Sequence, residues 1–296
     1  MPVLQINGLT KKYGPLTALN NLSLTLEAGN IYGLLGPNGS GKTTTLGIIL
    51  GILKQTSGDF TWFDGQYGDK YRMRMGAILE TPNFYPYLNA KKNLEIIQDI
   101  KKDHSDDLHK LLELVNLAHR EKSKFNTYSL GMKQRLAIAA TLIGNPDVVI
   151  FDEPTNGLDP QGIAEIRDIL KRVADKGKTV IMASHLLDEV EKICTHVIII
   201  KNGVLLNQGP IGAILTDDLS VEVASENLDT LKELLLEIPW AKNVIINGSM
   251  IECLITNDHT AFEINKIAFE RGLVLTHLVC RKRKLEEDFL EITSDM

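Results

Sequence analysis

The stretch GPNGSGKTT, residues 36–44, constrains the fold of this chain more than any other part of the sequence. It follows the apolar residues 31–35 (IYGLL) and precedes the helix-like residues 46–54 (LGIILGILK). Gly36 and Gly41–Thr43 match the G-x-x-x-x-G-K-[ST] pattern, in which glycines let successive backbone N–H groups curve around a polyanion. A helix that begins here directs the positive end of its dipole at the same place. The sequence therefore predicts a strand, a phosphate-binding loop and a helix, in that order.

A second stretch, VVIFDEP at residues 148–154, reads as a buried strand that ends in two carboxylates. Asp152 is expected to hold Mg²⁺ together with the Thr43 hydroxyl, because Mg²⁺ prefers oxygen ligands. Glu153 is placed to act as the general base on a water in line with the γ-phosphate. Lys42 would bring a point charge to the β- and γ-phosphates. A lone pair of acids at a strand end is often only solvated, but beside the glycine-rich loop it favours a nucleoside triphosphate site.

Short apolar stretches alternate with helix-like stretches along the chain. The predicted strands cover residues 4–9, 22–26, 31–35, 59–63, 148–152, 179–183 and 197–201. Helical periodicity is clearest at residues 108–115 and 163–173, and Asn202–Gly203 predicts a hairpin turn. This alternation predicts an α/β fold with a parallel core sheet and antiparallel strands at its edge.

A domain boundary is expected near Gly209–Pro210 and the acidic stretch TDD at residues 216–218. Residues 1–214 then form one domain, and residues 215–296 form a smaller α+β domain with the order strand–helix–strand–strand–helix–strand and a terminal helix. The first part carries 24 basic and 22 acidic residues, and the second carries 8 and 16. Neither part has the positive charge that nonspecific nucleic-acid binding requires, so no nucleic-acid partner is expected.

The three cysteines, Cys194, Cys253 and Cys280, lie far apart in apolar surroundings. This spacing favours buried thiols in a reducing compartment over metal ligands or a disulfide. The N-terminus has no basic region followed by an apolar stretch, so secretion is not expected. The apolar runs are far shorter than the ~20 residues that cross a bilayer, so the chain is not expected to span a membrane by itself.

Residues 128–146, YSLGMKQRLAIAATLIGNP, lie between the two phosphate-site stretches. These three stretches together make the sequence resemble the ATP-binding-cassette (ABC) family, over about residues 3–210. The resemblance implies a P-loop ATPase domain with a helical subdomain at about residues 83–145. Ser129, Leu130, Gly131 and Met132 stand at the family's signature, where Leu130 and Met132 replace the usual glycine and glutamine.

The same resemblance assigns roles to residues of the predicted site. The implied ATP-binding residues are Tyr13, stacked on the adenine, and Gly36, Pro37, Asn38, Gly39, Ser40, Gly41, Lys42, Thr43 and Thr44. The implied catalytic residues are Glu153, His185, Lys42 and Glu80, with His185 holding the γ-phosphate. The signature residues would contact the ATP of a partner cassette, and Asp159 would lie in a loop at the dimer interface. The implied ligands are ATP and Mg²⁺.

Glu80, in AILETPNFYPYL at residues 77–88, departs from the family, which usually has glutamine here. A carboxylate accepts hydrogen bonds and can ligate Mg²⁺, but it cannot donate, and its charge disfavours the nearby triphosphate. Together with YSLGMKQR and the ending LEEDFLEIT, this variant resembles the bacitracin-type and lantibiotic-immunity exporters. The cluster Phe84, Tyr85 and Tyr87 would seat a transmembrane subunit, with one or two rings packed inside and at least one exposed.

The resemblance also implies partners, because this chain has one phosphate loop and one signature. In the family, each ATP lies between the loop of one cassette and the signature of the other. A second ABC subunit, most simply an identical chain, is therefore expected, with a separate transmembrane permease at the inner face of the cell membrane. The alternative is a soluble ABC ATPase without a transport role. The accessory domain could bind a regulator or support the dimer interface, and the sequence does not choose between these roles.

Overall fold

The computed structural model describes residues 1–79, 82–214, 218–283 and 285–294. They form two compact units, residues 1–211 and residues 212–296. Within the described residues, no helix is both long and apolar enough to cross a membrane.

Among the described residues, the larger unit contains nine strands, six α-helices and several short 3-10 helices. The strands are β1 (Pro2–Tyr13), β2 (Leu16–Glu27), β3 (Ile31–Leu35), β4 (Ser57–Trp62), β5 (Met75–Ile78), β6 (Val148–Asp152), β7 (Thr179–Ser184), β8 (His196–Lys201) and β9 (Val204–Pro210). The helices are α1 (Lys42–Ile49), α2 (Ala90–Lys101), α3 (Leu108–Leu114), α4 (Leu130–Thr141), α5 (Pro160–Ala174) and α6 (Leu187–Ile193). A short helix, α7 (Ile211–Ile214), crosses the boundary between the units.

Two sheets organise the larger unit. A six-stranded sheet has the order β5-β6-β7-β3-β8-β9, and all its pairs are parallel except β8 with β9. A separate antiparallel sheet has the order β2-β1-β4. The prediction of an α/β fold with a parallel core and an antiparallel edge is confirmed. The short strand β5 was not predicted.

The local sequence explains why these elements form. Every residue of β3, β6 and β7 is buried, as expected for central strands of a parallel sheet covered on both faces. Helix α5 begins at Pro160, and Asp159 caps it by accepting a hydrogen bond from the Gly162 N–H at 2.9 Å. Asn202 and Gly203 have φ of 50° and 75°, which confirms the predicted hairpin between β8 and β9.

The smaller unit alternates strands and helices around its own core. Its elements are β10 (Leu219–Ser225), α8 (Leu228–Glu237), β11 (Ala241–Asn247), β12 (Met250–Ile255), α9 (Ala261–Glu270), β13 (Leu275–Lys282) and α10 (Leu285–Ser294). The strands form an antiparallel sheet in the order β11-β12-β10-β13. Side chains from β10 and β12 pack with α8 and α9 in one apolar cluster. The predicted order of strands and helices in this module is confirmed.

The prediction of buried cysteines is correct for two of the three residues. Cys194 and Cys253 are buried, and burial raises the pKa of the Cys253 thiol to about 11. Cys280 is exposed, so the prediction is wrong for this residue. Its strand, β13, is an edge strand with one neighbour, which the apolar sequence around Cys280 does not reveal.

Gly76→Ala is expected to destabilise the larger unit, because β5 packs directly against the end of α4. A Cβ on Gly76 would lie 2.0 Å from the carbonyl oxygen of Thr141. Overpacking of this kind costs about 1–3 kcal/mol, which a urea-denaturation midpoint would register. Gly212→Ala is the control, since a Cβ there meets nothing within 4 Å. Equal midpoints for the two variants would contradict this account of Gly76.

Candidate nucleotide-binding site

The topology of the six-stranded sheet assembles the candidate site. Strands β6, β7 and β3 are neighbours and run parallel, so their carboxyl ends meet at one edge. Gly36 follows β3, His185 follows β7, and Glu153 follows β6. Ligands of open α/β sheets bind outside these carboxyl ends. The sheet therefore brings together three segments that are far apart in sequence.

Lys42 is a buried cation within the phosphate loop. Its ammonium donates to the carbonyl oxygens of Gly36 at 2.7 Å and Pro37 at 3.3 Å. Burial lowers the pKa of Lys42, while the carboxylates of Glu153 and Asp152 act in the opposite direction. A polyanion in the loop would favour the charged form further, so this group is suited to bind phosphate.

The loop conformation requires glycine at Gly41, where φ is 108°. A Cβ there would lie 2.6 Å from Leu19 Cδ2 and 2.8 Å from the carbonyl oxygen of Ala18. The neighbouring Ser40 hydroxyl is buried and has no hydrogen-bond partner in the described part of the chain. A buried polar atom without a partner is unfavourable, and a bound anion would satisfy it.

Thr43 and Asp152 connect the loop to the end of β6. The Thr43 hydroxyl donates to Oδ2 of Asp152 at 2.9 Å, and Asp152 is buried. A hydroxyl and a carboxylate are oxygen donors of the kind that Mg²⁺ prefers. The two side chains therefore fit a magnesium ion.

Glu153 contacts His185 at the next position along this edge. Oε2 of Glu153 lies 2.8 Å from Nδ1 of His185. The backbone of Glu153 is left-handed, with φ of 50°, which is uncommon for a residue with a Cβ. The Glu153 N–H donates to the carbonyl oxygen of Ala183 at 3.0 Å, and this hydrogen bond links the turn to β7. Such strain is found at functional sites, where surrounding contacts hold it.

A cavity of about 570 Å³ opens in front of these residues. Its volume is typical of small-molecule sites. It is lined by Tyr13, Leu16, Ala18, Asn38, Gly39, Ser40, Gly41, Lys42, Thr43, Thr44, Pro82, Leu130, Gln134, Asp152, Glu153 and Asn156. The Tyr13 ring is 44% exposed, so one face is open for stacking, and the Lys11 ammonium lies 4.8 Å from its centroid.

The cavity includes most of the predicted site residues but not all of them. Gly36 and Pro37 accept hydrogen bonds from Lys42, and His185 contacts Glu153, but these three residues do not line the cavity themselves. Within the described residues, the lining omits Ser129, Gly131, Met132 and Asp159. Ser129 caps α4 by accepting from the Met132 N–H at 3.3 Å, and Asp159 caps α5. Glu80 lies outside the described residues.

Sequence reasoning missed several residues of the cavity, namely Leu16, Ala18, Pro82, Gln134 and Asn156. Two patterns could have found some of them. Leu16 and Ala18 alternate along β2, so they share one face of the strand. Gln134 lies four residues after Leu130 in α4, so both lie on one helix face. The approach of α4 to the phosphate loop of its own chain is a tertiary feature that the motif does not encode.

The aromatic cluster Phe84, Tyr85 and Tyr87 has one packed ring and two exposed rings. The Phe84 ring packs against Phe125 with centroids 5.2 Å apart. Tyr85 and Tyr87 are 50% and 63% exposed, and their rings lie 6.0 Å apart. The prediction that one or two rings pack inside while at least one stays exposed is confirmed.

Comparison with known proteins places these features in a family. Residues 19–156 match the family described as ABC transporter. The uncharacterised ABC transporter ATP-binding protein YhcH of Bacillus subtilis is 35% identical, over 99% of this chain and 96% of its own length. The bacitracin transport ATP-binding protein BcrA of Bacillus licheniformis is 41% identical, over 70% of each chain. The lantibiotic transport ATP-binding protein SrtF of Streptococcus pyogenes is 37% identical, over 69% of this chain and 89% of its own.

A solved structure shows the same fold. The ATP-binding cassette MJ0796, in a dimeric post-hydrolysis state bound to ADP and Pi, is 28% identical with a TM-score of 0.61. The match covers 70% of this chain and 98% of that one. The resemblance inferred from the sequence is thereby confirmed, including the likeness to bacitracin and lantibiotic transport proteins. This chain belongs to the ABC transporter family as an ATP-binding subunit.

Proposed function

We propose that this chain hydrolyses Mg-ATP to drive a separate transmembrane permease that exports a peptide antibiotic or drug. The observation that carries the ATPase assignment is the cavity in which Lys42, Thr43, Asp152 and Glu153 converge. The names of the relatives BcrA and SrtF support the transport assignment. Residues 1–214 form the ATPase domain in this proposal, and residues 215–296 form an accessory domain.

The phosphate loop binds and orients the nucleotide. Lys42 and the loop N–H groups neutralise the β- and γ-phosphates, and Tyr13 stacks on the adenine. Thr43 and Asp152 would hold Mg²⁺, and Glu80 would be a further ligand. When bound, the metal neutralises charge that develops on the phosphate oxygens. Most of the catalytic effect then comes from positioning and charge stabilisation, as in phosphoryl transfer generally.

Glu153 is the general base in this proposal. Its carboxylate accepts a proton from water as the water oxygen bonds to the γ-phosphorus and the bond to the leaving ADP oxygen breaks. The contact of 2.8 Å with His185 restrains the carboxylate. In this proposal His185 also holds the attacked phosphate. The left-handed turn at Glu153 fixes the direction in which its side chain leaves β6.

Two cassettes act together in the proposed cycle. The signature residues Ser129, Leu130, Gly131 and Met132 of one chain close over the ATP of the other, and Asp159 lies at the interface. The dimeric state of MJ0796 with ADP and Pi supports this arrangement. An identical second chain is the simplest partner, because each chain carries one loop and one signature.

The exposed pair Tyr85 and Tyr87 is the proposed docking point for the permease at the inner face of the cell membrane. Exposed aromatic rings beside prolines offer a large contact area at low entropic cost. Tyr85 and Tyr87 follow Glu80 closely in the sequence. The proposed docking point and a proposed Mg²⁺ ligand therefore lie in one segment of the chain.

Replacing Tyr85 and Tyr87 together by serine is expected to abolish antibiotic resistance while the purified chain keeps its ATPase rate within about twofold. The double substitution removes the exposed rings without touching a cavity residue. Resistance is measured as the minimal inhibitory concentration of bacitracin in host cells that contain the permease. The matched control replaces both tyrosines by phenylalanine, which keeps the rings.

Unchanged resistance in the serine variant would contradict the docking assignment. If the Glu153→Gln variant also left resistance unchanged, the alternative function of an ABC ATPase without a transport role would be favoured.

A further inference from the structure

Strand β11 forms one edge of the sheet in the smaller unit, and this edge is apolar. In the described part of that sheet the order is β11-β12-β10-β13, so β12 is the one neighbour of β11. Ile245 and Ile246 of β11 are 61% and 38% exposed. An edge strand presents unpaired N–H and C=O groups, which can pair with a strand of another molecule. The edge of β11 therefore offers both hydrogen bonds and apolar surface to a partner.

The opposite edge of this sheet shows how an edge strand is protected. Strand β13 ends in Arg281 and Lys282, and Nε of Arg281 lies 3.5 Å from a carboxylate oxygen of Glu222 on β10. Charged side chains on an edge strand disfavour its pairing with another chain, because their desolvation is unfavourable. The two edges of one sheet therefore differ in chemistry, and β11 is the open edge.

The protective features of β11 are confined to its first half. Lys242, the one charged residue in the sequence of the strand, lies 3.3 Å from Asp218. The register with β12 shifts between Lys242 and Ile245, and Asn243 has φ of 51°. A bulge of this kind bends an edge strand and disturbs further pairing. Residues 245–247 pair regularly with β12, so the second half of β11 has a regular free edge.

The sequence of this edge favours a second copy of the chain as its partner. Residues 243–247 read NVIIN, which has nearly the same order of polar and apolar residues in both directions. An antiparallel pair centred on Ile245 therefore places apolar residues opposite apolar residues, and asparagine opposite asparagine. A two-fold dimer needs such a self-complementary surface, because the same patch of each copy forms the contact.

Charge also selects the contact surface of such a dimer. Residues 215–296 carry 8 basic and 16 acidic side chains, so two copies of the smaller unit repel each other at long range. Residues 243–251 contain no charged side chain. The paired segments therefore add no charge to the contact, and β11 is a place where two acidic units can approach each other.

We propose that β11 pairs antiparallel with β11 of a second copy, so that the two sheets join across a two-fold axis. A single strand pair buries less than the ~1,200 Å² of a stable free-standing interface, so this contact is weak by itself. In the proposed pair of cassettes the contact becomes intramolecular, at an effective concentration on the order of a millimolar. The smaller units then hold the two chains together when hydrolysis has parted the cassettes. The strand pairing itself does not depend on the proposed ATPase activity.

The test measures self-association of the full chain without nucleotide by sedimentation velocity, at concentrations up to about 0.5 mM. The wild-type chain is expected to form a reversible dimer. Ile245→Lys should weaken this association at least ~10-fold, because two lysines would face each other at the axis. The matched control is Val279→Lys on β13, which changes a side chain that is 42% exposed and should associate as wild type does. An increase in salt from about 0.05 to 0.5 M should strengthen the wild-type dimer, since salt screens the repulsion between acidic units.

The outcomes separate this inference from the proposed function. A wild-type chain that stays monomeric over this range, or an Ile245→Lys variant that associates like wild type, would overturn the pairing. Association that weakens with added salt would also overturn it, since the contact would then join surfaces of opposite charge. A chain that associates through β11 but does not hydrolyse Mg-ATP would overturn the proposed function and leave this inference standing.

Discussion

Glu153→Gln is expected to lower kcat for ATP hydrolysis by about 10²- to 10⁴-fold, the usual contribution of a general base. Glutamine matches glutamate in shape but cannot take a proton from water near neutral pH. ATP affinity should change by less than about threefold, because the phosphate loop remains intact. The variant should therefore bind ATP, stay dimeric and hardly turn over. Phosphate release and sedimentation velocity in Mg-ATP measure these two properties.

Glu113→Gln is the matched control for this prediction, since the Glu113 side chain is exposed on α3 and outside the cavity. Its kcat should stay within about twofold of wild type. Near-normal hydrolysis by Glu153→Gln would show that another group accepts the proton, and the assignment of the base would then be withdrawn.

Lys42→Met is expected to weaken ATP binding by about 100-fold or more. The substitution removes a buried positive charge from the phosphate loop, and a unit charge at 4 Å contributes about 4 kcal/mol at an effective dielectric constant of 20. Fluorescence titration with a labelled ATP analogue measures the loss. Lys110→Met is the control, because this side chain is 78% exposed on α3. An affinity within threefold of wild type would contradict the role of Lys42.

The stability of the nucleotide-free Lys42→Met variant gives a second check. Burial lowers the pKa of Lys42 in the folded state below its unfolded value, so the folded state binds this proton less tightly. The contribution of Lys42 to the free energy of unfolding therefore rises as the pH increases from its folded pKa toward its unfolded pKa. Without a bound phosphate, the charged ammonium destabilises the folded state. Removal of the ammonium should leave the thermal midpoint unchanged or higher, while the increase produced by ATP should disappear.

The sequence predicted the elements that local chemistry determines. The loop at residues 36–44 and the acids at the end of β6 have compositions that few other kinds of site require. Asn202 and Gly203 have the φ values that their hairpin needs. The missed features depend on tertiary packing instead. Strand β5 has four residues and includes Gly76, so it has no periodic signal of its own. The exposure of Cys280 follows from strand order, which the local sequence does not contain.

In the candidate site too, the sequence motifs predicted which residues take part, whereas contacts that depend on tertiary packing were not predicted. Lys42, Asp152 and Glu153 were predicted as members of one site, and the parallel neighbours β3, β7 and β6 bring their segments together. The hydrogen bond between Glu153 and His185 depends on the left-handed turn after β6, which no motif reports. The approach of Gln134 depends on how α4 packs against β5.

The most direct test of this account is a calorimetric titration of the purified wild-type chain with Mg-ATP. We expect saturable binding at one site per chain, with a dissociation constant below about 1 mM, the upper end of common enzyme–substrate affinities. An absence of adenine-nucleotide binding at millimolar Mg-ATP, by a chain that is folded by circular dichroism, would contradict it.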